Sequence, residues 1–195
     1  MKHAILGALV ASAFAIPTAH AGFLGSSATF EYYVYGSAYD KGGSPTTFTV
    51  DGTAGASFLN LTDSARRYFD ILVTDDRVVF DFQDTASWTP SPVSLTSGGL
   101  YIESGPLMSF SGATPIQTVS IDPVTNMAGL MAGNITHDAS RIAVNWEFLS
   151  FEPSTQVVLN VTFAPPAPVP EPSGIVLTSL GLGGLALLLR RRRRH

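Results

Sequence analysis

The sequence contains no cysteine, and it has few basic residues away from its two ends. Without cysteine, a folded domain has no disulfides, thiolate metal ligands or thiol nucleophile, so packing must hold its core. Only five of the eleven Lys and Arg residues lie between positions 22 and 168, where fourteen of the fifteen Asp and Glu residues lie. This body therefore carries a formal charge of −9, against −4 for the whole chain. An acidic surface repels phosphate backbones, so we predict no nucleic-acid partner.

The body also lacks a convincing amphipathic helix, and its apolar residues instead alternate with polar ones. Three apolar residues alternate over 69–73 and three more over 78–82, with Asp75-Asp76 between the two segments. Alternation of this kind around a short polar turn predicts a β-hairpin.

Two later segments, 142–148 and 157–163, show the same alternation. In the first, we expect Ile142, Val144, Trp146 and Phe148 to face the core, with Ala143, Asn145 and Glu147 pointing away. In the second, Val158, Asn160 and Thr162 are expected to point away. Weaker strand candidates are 29–35, 46–50, 100–103 and 116–121. Many short strands separated by Gly- and Pro-rich turns predict an all-β fold, an antiparallel β-sandwich or jelly-roll-like domain over residues 22–163. A proline-rich linker is predicted over 164–169.

The N-terminus has the organisation of a signal peptide, predicted over residues 1–21. A charged start, Met1-Lys2-His3, precedes a thirteen-residue apolar stretch, and small residues at Ala19 and Ala21 satisfy the cleavage rule. We therefore expect Sec-type export and cleavage by signal peptidase after Ala21. The alternative, an uncleaved membrane anchor, is disfavoured by the short apolar stretch and by the cleavage site.

The C-terminus places three features in a fixed order over residues 170–195. Pro170, Glu171 and Pro172 come first, and the flanking prolines keep the tripeptide extended. A transmembrane helix is predicted over 173–189, with a length of about 25 Å. The basic run that follows stays cytoplasmic, because each arginine costs about 2.5–3.5 kcal/mol at the membrane centre. This run consists of Arg190, Arg191, Arg192, Arg193 and Arg194.

This tail resembles the PEP-CTERM sorting tail of exported bacterial proteins. The resemblance implies that a membrane-bound exosortase recognises Pro170 to Pro172, that the inner membrane holds the chain only as a transient anchor, and that the tail is then removed. The domain would reach the cell envelope or the extracellular space of a bacterium that makes exopolysaccharide. The alternative is an ordinary single-span membrane protein with a basic stop-transfer sequence.

No motif in the body identifies a catalytic, cofactor or metal site. His137 is its only histidine, and the sequence contains neither a G-x-S-x-G elbow nor an H-E-x-x-H helix. Five aspartates crowd the predicted hairpin and offer oxygen ligands for calcium, but the spacing D-x-D-x-D-G is absent, and a turn with a solvated face explains them. These residues are Asp70, Asp75, Asp76, Asp81 and Asp84.

Trp88 lies in a polar stretch that ends at a proline, and it is the candidate glycan contact. The alternative, which the pattern favours, is a loop aromatic that folds over the edge of the sandwich. The sequence as a whole predicts a non-catalytic envelope or biofilm-matrix component, in contact with exopolysaccharide. A carbohydrate- or calcium-binding module on the same scaffold is the alternative, and a secreted hydrolase ranks last.

Overall fold

The computed structural model describes residues 21–60, 62–88, 95–97 and 99–165, with the backbone alone for 95–97. The strands, in chain order, are β1 (Ser27–Val34), β2 (Ser37–Tyr39), β3 (Thr46–Thr49), β4 (Gly55–Leu59), β5 (Arg67–Val73), β6 (Arg77–Phe82), β7 (Ala86–Ser87), β8 (Leu95–Ser97), β9 (Leu100–Ile102), β10 (Gly105–Ser111), β11 (Ile116–Ile121), β12 (Ile135–His137), β13 (Arg141–Val144), β14 (Ser150–Phe151) and β15 (Gln156–Phe163). A 3₁₀ turn covers Ala132–Asn134.

Several predictions from the sequence lie outside the described residues. These are the signal peptide before Ala21, most of the linker, the Pro170–Pro172 motif, the 173–189 helix and the arginine run. The chain divides into two units between Pro165 and Pro166. In the part of the chain that the structure describes, no helix is long and apolar enough to cross a membrane.

Two antiparallel sheets dominate the fold. A six-stranded sheet has the order β12-β13-β10-β1-β2, with β3 pairing with another part of β1, and a five-stranded sheet has the order β11-β15-β6-β5-β4. Two short ladders, β7 with β14 and β8 with β9, add to these sheets. The prediction of an all-β antiparallel fold is therefore confirmed.

The two sheets pack face to face through aromatic side chains, as in a β-sandwich. The Phe30 ring, from the six-stranded sheet, lies 6.1 Å from both the Phe58 and the Phe69 ring of the five-stranded sheet. One continuous core cluster includes inward-facing residues of both sheets. Burial of this apolar surface is the main stabilising contribution in a domain without disulfides.

The hairpin predicted around Asp75-Asp76 is present as β5 and β6. Phe69 pairs with Phe82 and Val73 with Val78, and the Thr74 N–H donates to the Arg77 carbonyl at 3.0 Å. The inward-facing residues predicted for both strands are buried. The weaker candidates also correspond to strands, namely β1, β3, β9 and β11, within a few residues at each end.

A second, smaller core lies on the outer face of the six-stranded sheet. Leu100 and Ile102 of β9 pack against Leu107 of β10 and Ala143 of β13, with Tyr33 beside them. The β8–β9 hairpin thereby covers part of a face that would otherwise meet solvent, so the central strands β10 and β13 bury side chains on both faces.

The prediction of one strand over 142–148 is wrong in its second half. β13 ends at Val144, and Phe148 has a positive φ of 63°, which turns the chain away from the extended path. Trp146 is buried as predicted, but Phe148 is 72% exposed. Ala143, Asn145 and Glu147 are buried instead of facing solvent. The cause is long-range hydrogen bonding, since the Trp146 N–H donates to the Ser104 carbonyl at 2.6 Å.

Candidate functional site

Residues 145–152 form the candidate site and lie at one end of the sandwich. In the six-stranded sheet, Tyr33 pairs with Gly105 and Leu107 with Ala143. The end of β1, the start of β10 and the end of β13 therefore lie at the same end of the sheet. The turns at these strand ends therefore meet, as loops commonly do at the ends of β-sandwiches. We name this end of the sandwich, with the loops that connect its strands, the loop end.

Hydrogen bonds from two other parts of the chain, and one within the segment, hold its first half. The Asn145 N–H donates to the Asn134 carbonyl at 2.8 Å, and the Asn134 amide donates back to the Asn145 carbonyl at 3.1 Å. The Asn145 side-chain oxygen accepts from the Ser104 N–H at 3.1 Å and from the Glu147 N–H at 3.3 Å. Because these buried polar groups are paired, the loop is fixed rather than draped over the sheet.

Glu103 and Glu147 bring two carboxyl groups together at the loop end. Glu103 is 6% exposed and Glu147 is 9% exposed, and their side chains are hydrogen-bonded to each other. The Tyr101 hydroxyl donates a second hydrogen bond to Glu103. A hydrogen bond between two carboxyl groups requires one of them to keep its proton, because a carboxylate only accepts.

The pKa directions agree with this arrangement. Burial and then the hydrogen bond with Glu147 raise the pKa of Glu103, and the Tyr101 hydroxyl only partly opposes that shift. The hydrogen bond to Glu103, together with burial, raises the pKa of Tyr101 to about 12. The pKa of Glu103 thus shifts upward, in the opposite direction to the lowered pKa values of Asp84, Asp122 and Asp138.

We expect the folded protein to be most stable in mildly acidic solution. Glu103 binds its proton more tightly when folded, so its contribution to stability is fully present below the pKa of an unfolded glutamate, about 4.3, and is lost as pH rises through the raised folded value. Asp84, Asp122 and Asp138 have lowered pKa values, so their contribution is lost as pH falls. Thermal melts followed by circular dichroism from pH 3 to 9 check this maximum.

The Glu103→Gln variant isolates the contribution of the pair. Its amide donates to the Glu147 carboxylate without a titrating proton, so the loss of melting temperature between pH 5 and 8 should shrink by a few degrees. The Glu152→Gln variant, at an exposed position on the same segment, serves as the matched control and should keep the wild-type profile. A Glu103→Gln profile as steep as that of the wild type would contradict the assignment.

Phe148 is the most exposed large apolar side chain of the described residues. Its φ of 63° lies in the left-handed region, which bulky residues seldom adopt. Two backbone hydrogen bonds hold it there: the Phe148 N–H donates to the Trp88 carbonyl at 3.1 Å, and the Trp88 N–H donates to the Leu149 carbonyl at 2.9 Å. The surrounding structure therefore holds an aromatic ring in solvent at a position with a conformational cost.

A groove of about 340 Å³ opens beside the β7–β14 ladder. Ser87 and Ser150 face each other across this ladder, with their hydroxyl oxygens 3.1 Å apart, and the buried Phe151 lines the groove between polar residues. Thr155, just before β15, also lines it. The second half of the 145–152 segment thus borders a cavity, whereas its first half holds the carboxyl pair.

Trp88, the residue predicted to contact glycan, is half-buried beside this groove. Its ring centroid lies 5.7 Å from that of Tyr32, 5.9 Å from that of Tyr68 and 5.5 Å from that of Phe151. The indole Nε1 is buried and has no hydrogen-bond partner among the described residues. The Trp88 ring thus packs mostly against the core, while the Trp88 carbonyl accepts the hydrogen bond from the Phe148 N–H.

The aspartates of the hairpin make separate contacts and do not form one site. Asp70 accepts from the Ser57 hydroxyl at 2.5 Å and pairs with Arg67 at 3.1 Å, whereas the buried Asp84 accepts from the Asn60 amide at 2.9 Å and pairs with Arg66. Asp75 lies at the other end of the hairpin, where its side chain accepts from the Leu24 N–H at 3.3 Å. No group of three or more His, Asp or Glu side chains in the described ranges has a metal-binding arrangement.

His137 lies on β12, next to Asp138. Its Nδ1 is buried without a hydrogen-bond partner among the described side chains and backbone groups. The Asp138 carboxylate instead accepts from the Arg141 guanidinium at 2.7 Å and from the Ser140 N–H at 2.8 Å. These contacts thus hold the Asp138 carboxylate in the β12–β13 turn.

Comparisons with protein-family models, with curated proteins and with solved structures find no match to this chain.

Sequence reasoning missed Glu103, Glu147 and Phe148 as site residues. Alternation placed Glu147 on a solvated face and Phe148 in the core, and both assignments were reversed. The local signal was weak but present: a glutamate followed by a serine and a glycine, over 103–105, is a poor strand centre and indicates a bend. Nothing local indicates that this bend meets residue 147.

Proposed function

We propose that this chain is an exported, non-catalytic protein of the bacterial cell envelope or extracellular matrix, delivered by its C-terminal sorting tail. The observation that carries the proposal is the order of features at the two ends: a cleavable apolar start, then Pro170 to Pro172, an apolar run and five arginines. The arginine run favours the cytoplasmic side of the membrane, and the apolar start directs the body to the opposite side. The two ends therefore predict the same topology.

The described body supports this proposal. It is an antiparallel β-fold built without cysteine and with a strong excess of acidic residues. A domain of this kind remains folded whatever the redox state of the compartment, because no thiol or disulfide contributes to it. Sec-type export machinery, signal peptidase, an exosortase and the inner membrane are its proposed partners in delivery.

A carbohydrate- or calcium-binding module remains the second candidate, and the groove beside Phe148 favours the carbohydrate side. A hydrolase is disfavoured by the carboxyl pair. Glycosidases hold their two carboxyl groups about 5–9.5 Å apart so that the sugar and water fit between them. Glu103 and Glu147 are hydrogen-bonded to each other, which leaves no such space.

Intact-mass analysis of the mature protein tests the proposed delivery. In a host with an exosortase, we expect a chain that begins at Gly22 and has lost the arginine run. Glu171→Ala should abolish most of the C-terminal processing and leave a chain that still carries Arg190 to Arg194, because the recognised carboxylate is gone. Glu152→Ala, an exposed glutamate of the body, should be processed as the wild type is. A wild-type protein that keeps the five arginines at steady state in its native host would overturn the proposal.

A further inference from the structure

The groove beside the β7–β14 ladder has the dimensions of a small-molecule site. Its volume of about 340 Å³ falls within the range of about 300–1,000 Å³ found for ligand pockets. It is open to solvent rather than closed, and Asn126 and Ala128 also line it. An open groove suits a segment of a longer polymer better than an enclosed metabolite.

The lining of the groove combines apolar surface with hydroxyl groups, and its one charged group is a carboxylate. Thr85, Ser87 and Ser150 present hydroxyl groups at the surface, Glu152 presents a carboxylate, and Phe151 provides an apolar floor. Hydroxyl groups both donate and accept hydrogen bonds, as sugar hydroxyls do, so the two surfaces are complementary. None of the nine lining residues is basic.

Phe148 does not line this groove itself, but it lies close in the chain to residues that do. It precedes Ser150 by two residues, and its N–H bonds to the carbonyl of Trp88, the residue after Ser87. Both Ser87 and Ser150 line the groove, so the backbone of Phe148 is hydrogen-bonded next to a residue of the groove wall. With 72% of its surface exposed, the side chain offers a flat apolar face of the kind that stacks on the C–H face of a pyranose ring.

The charge of the body selects among polymers. A domain with a formal charge of −9, with a carboxylate in the groove and a carboxyl pair just before Phe148, repels acidic polysaccharides, nucleic acids and phosphorylated ligands. Neutral sugar chains carry no such penalty. Aromatic stacking and hydroxyl hydrogen bonds are both available to them.

We propose that the groove between Ser87, Ser150 and Glu152 binds a segment of neutral polysaccharide, with one sugar ring stacked on Phe148. The inference rests on the proposed function only in that export brings the domain to such a polymer. Binding is weak for one sugar and increases along the chain, because each additional ring in the groove adds hydrogen bonds to the hydroxyl-bearing wall. Trp88 has a supporting role beneath the site, through its two backbone bonds to the 148–149 turn.

Binding of neutral hexasaccharides tests the inference. The purified full-length chain, in a detergent without a sugar head group, is titrated with gluco-, galacto- and mannohexaoses and followed by calorimetry. We expect at least one hexaose to bind. The Phe148→Ala variant should weaken that binding roughly tenfold, the effect of losing about 1.4 kcal/mol of ring contact. Phe148→Tyr, which keeps the ring, should stay within about threefold of the wild type.

The Leu24→Ala variant is the matched control. Leu24 is 43% exposed but lies beside the β5–β6 turn, at the end of the domain opposite Phe148, so its loss should leave binding unchanged. Failure of all three hexaoses to bind overturns the inference, as does equal weakening by Leu24→Ala and Phe148→Ala. Equally tight binding of an acidic polysaccharide, or binding that requires added calcium, overturns the assignment to neutral sugars. Tail processing is read separately by mass, so either proposal can fail while the other stands.

Discussion

Phe69→Ala is expected to lower the free energy of unfolding by about 3–5 kcal/mol, a large share of the stability of an ordinary domain. Phe69 is fully buried between the sheets, and its ring centroid lies 5.3 Å from that of Phe82, 5.4 Å from that of Phe58 and 5.9 Å from that of Phe80. Truncation leaves a cavity among rings that cannot collapse into it without leaving their own contacts. Urea denaturation measures the loss.

The matched control is the same substitution at Phe148. An exposed phenylalanine loses little on truncation, so Phe148→Ala should change stability by no more than about 0.5 kcal/mol. The comparison also tests the structure against the sequence pattern, which placed Phe148 in the core. Similar losses at the two positions would contradict the exposure of residue 148 and favour the core position that the alternation predicts.

Gly105→Ala should destabilise the protein by about 3 kcal/mol or more, enough to reduce the yield of folded protein. Gly105 has a φ of 151°, and a Cβ added to it would lie 2.0 Å from the Val144 carbonyl oxygen and 3.1 Å from Cδ1 of Trp146. The carbonyl belongs to the last residue of β13 and cannot move without disturbing the sheet. Backbone strain and overpacking therefore add together.

Gly112→Ala separates these two contributions. Gly112 also has a positive φ, 83°, but an added Cβ would meet nothing within 4 Å. Its substitution should cost only the backbone penalty, about 1–2 kcal/mol. Thermal melts of both variants measure the difference. An equal cost at the two glycines would mean that the close approach of Gly105 to β13 is not a constraint.

Period-two alternation predicted the central strands of the five-stranded sheet well. β5, β6 and β15 each place one face in the core and leave much of the other polar, so local sequence carries the signal. Val158 is a partial exception, because it is buried on the face predicted to be polar. The hairpin turn was also predicted from the sequence, because aspartates between two apolar segments favour turns.

β10 was missed because it buries both faces. Met108 and Phe110 face the main core, while Leu107 packs under the β8–β9 hairpin, so the segment shows no alternation. Its Gly-Pro start also imitates a turn. Strands of this kind depend on what covers their second face, and that cover comes from another part of the chain.

The prediction for the loop end was wrong for the opposite reason, because the alternation of apolar and polar residues continues past the end of β13. Contacts with Ser104 and Asn134 turn the chain there, and neither residue is near in sequence. The pairing of Glu103 with Glu147 likewise depends on which turns lie at the same end of the sheet. Strand order, rather than composition, decides it, and strand order is the part of the fold that local patterns do not encode.

The path of β15 gives the domain a polarity. The strand begins beside the groove, where the Thr155 carbonyl accepts from Phe82, and ends near the β5–β6 turn, where the Val161 N–H donates to the Asp76 carbonyl. Thr155 and Val161 are six residues apart, which is about 20 Å along an extended strand. The first described residues lie at the same far end, with the Phe23 ring 4.8 Å from that of Phe163. Both ends of the described chain thus emerge at one pole, and Phe148 lies at the other. A tether attached through either terminus would leave the aromatic pole unobstructed.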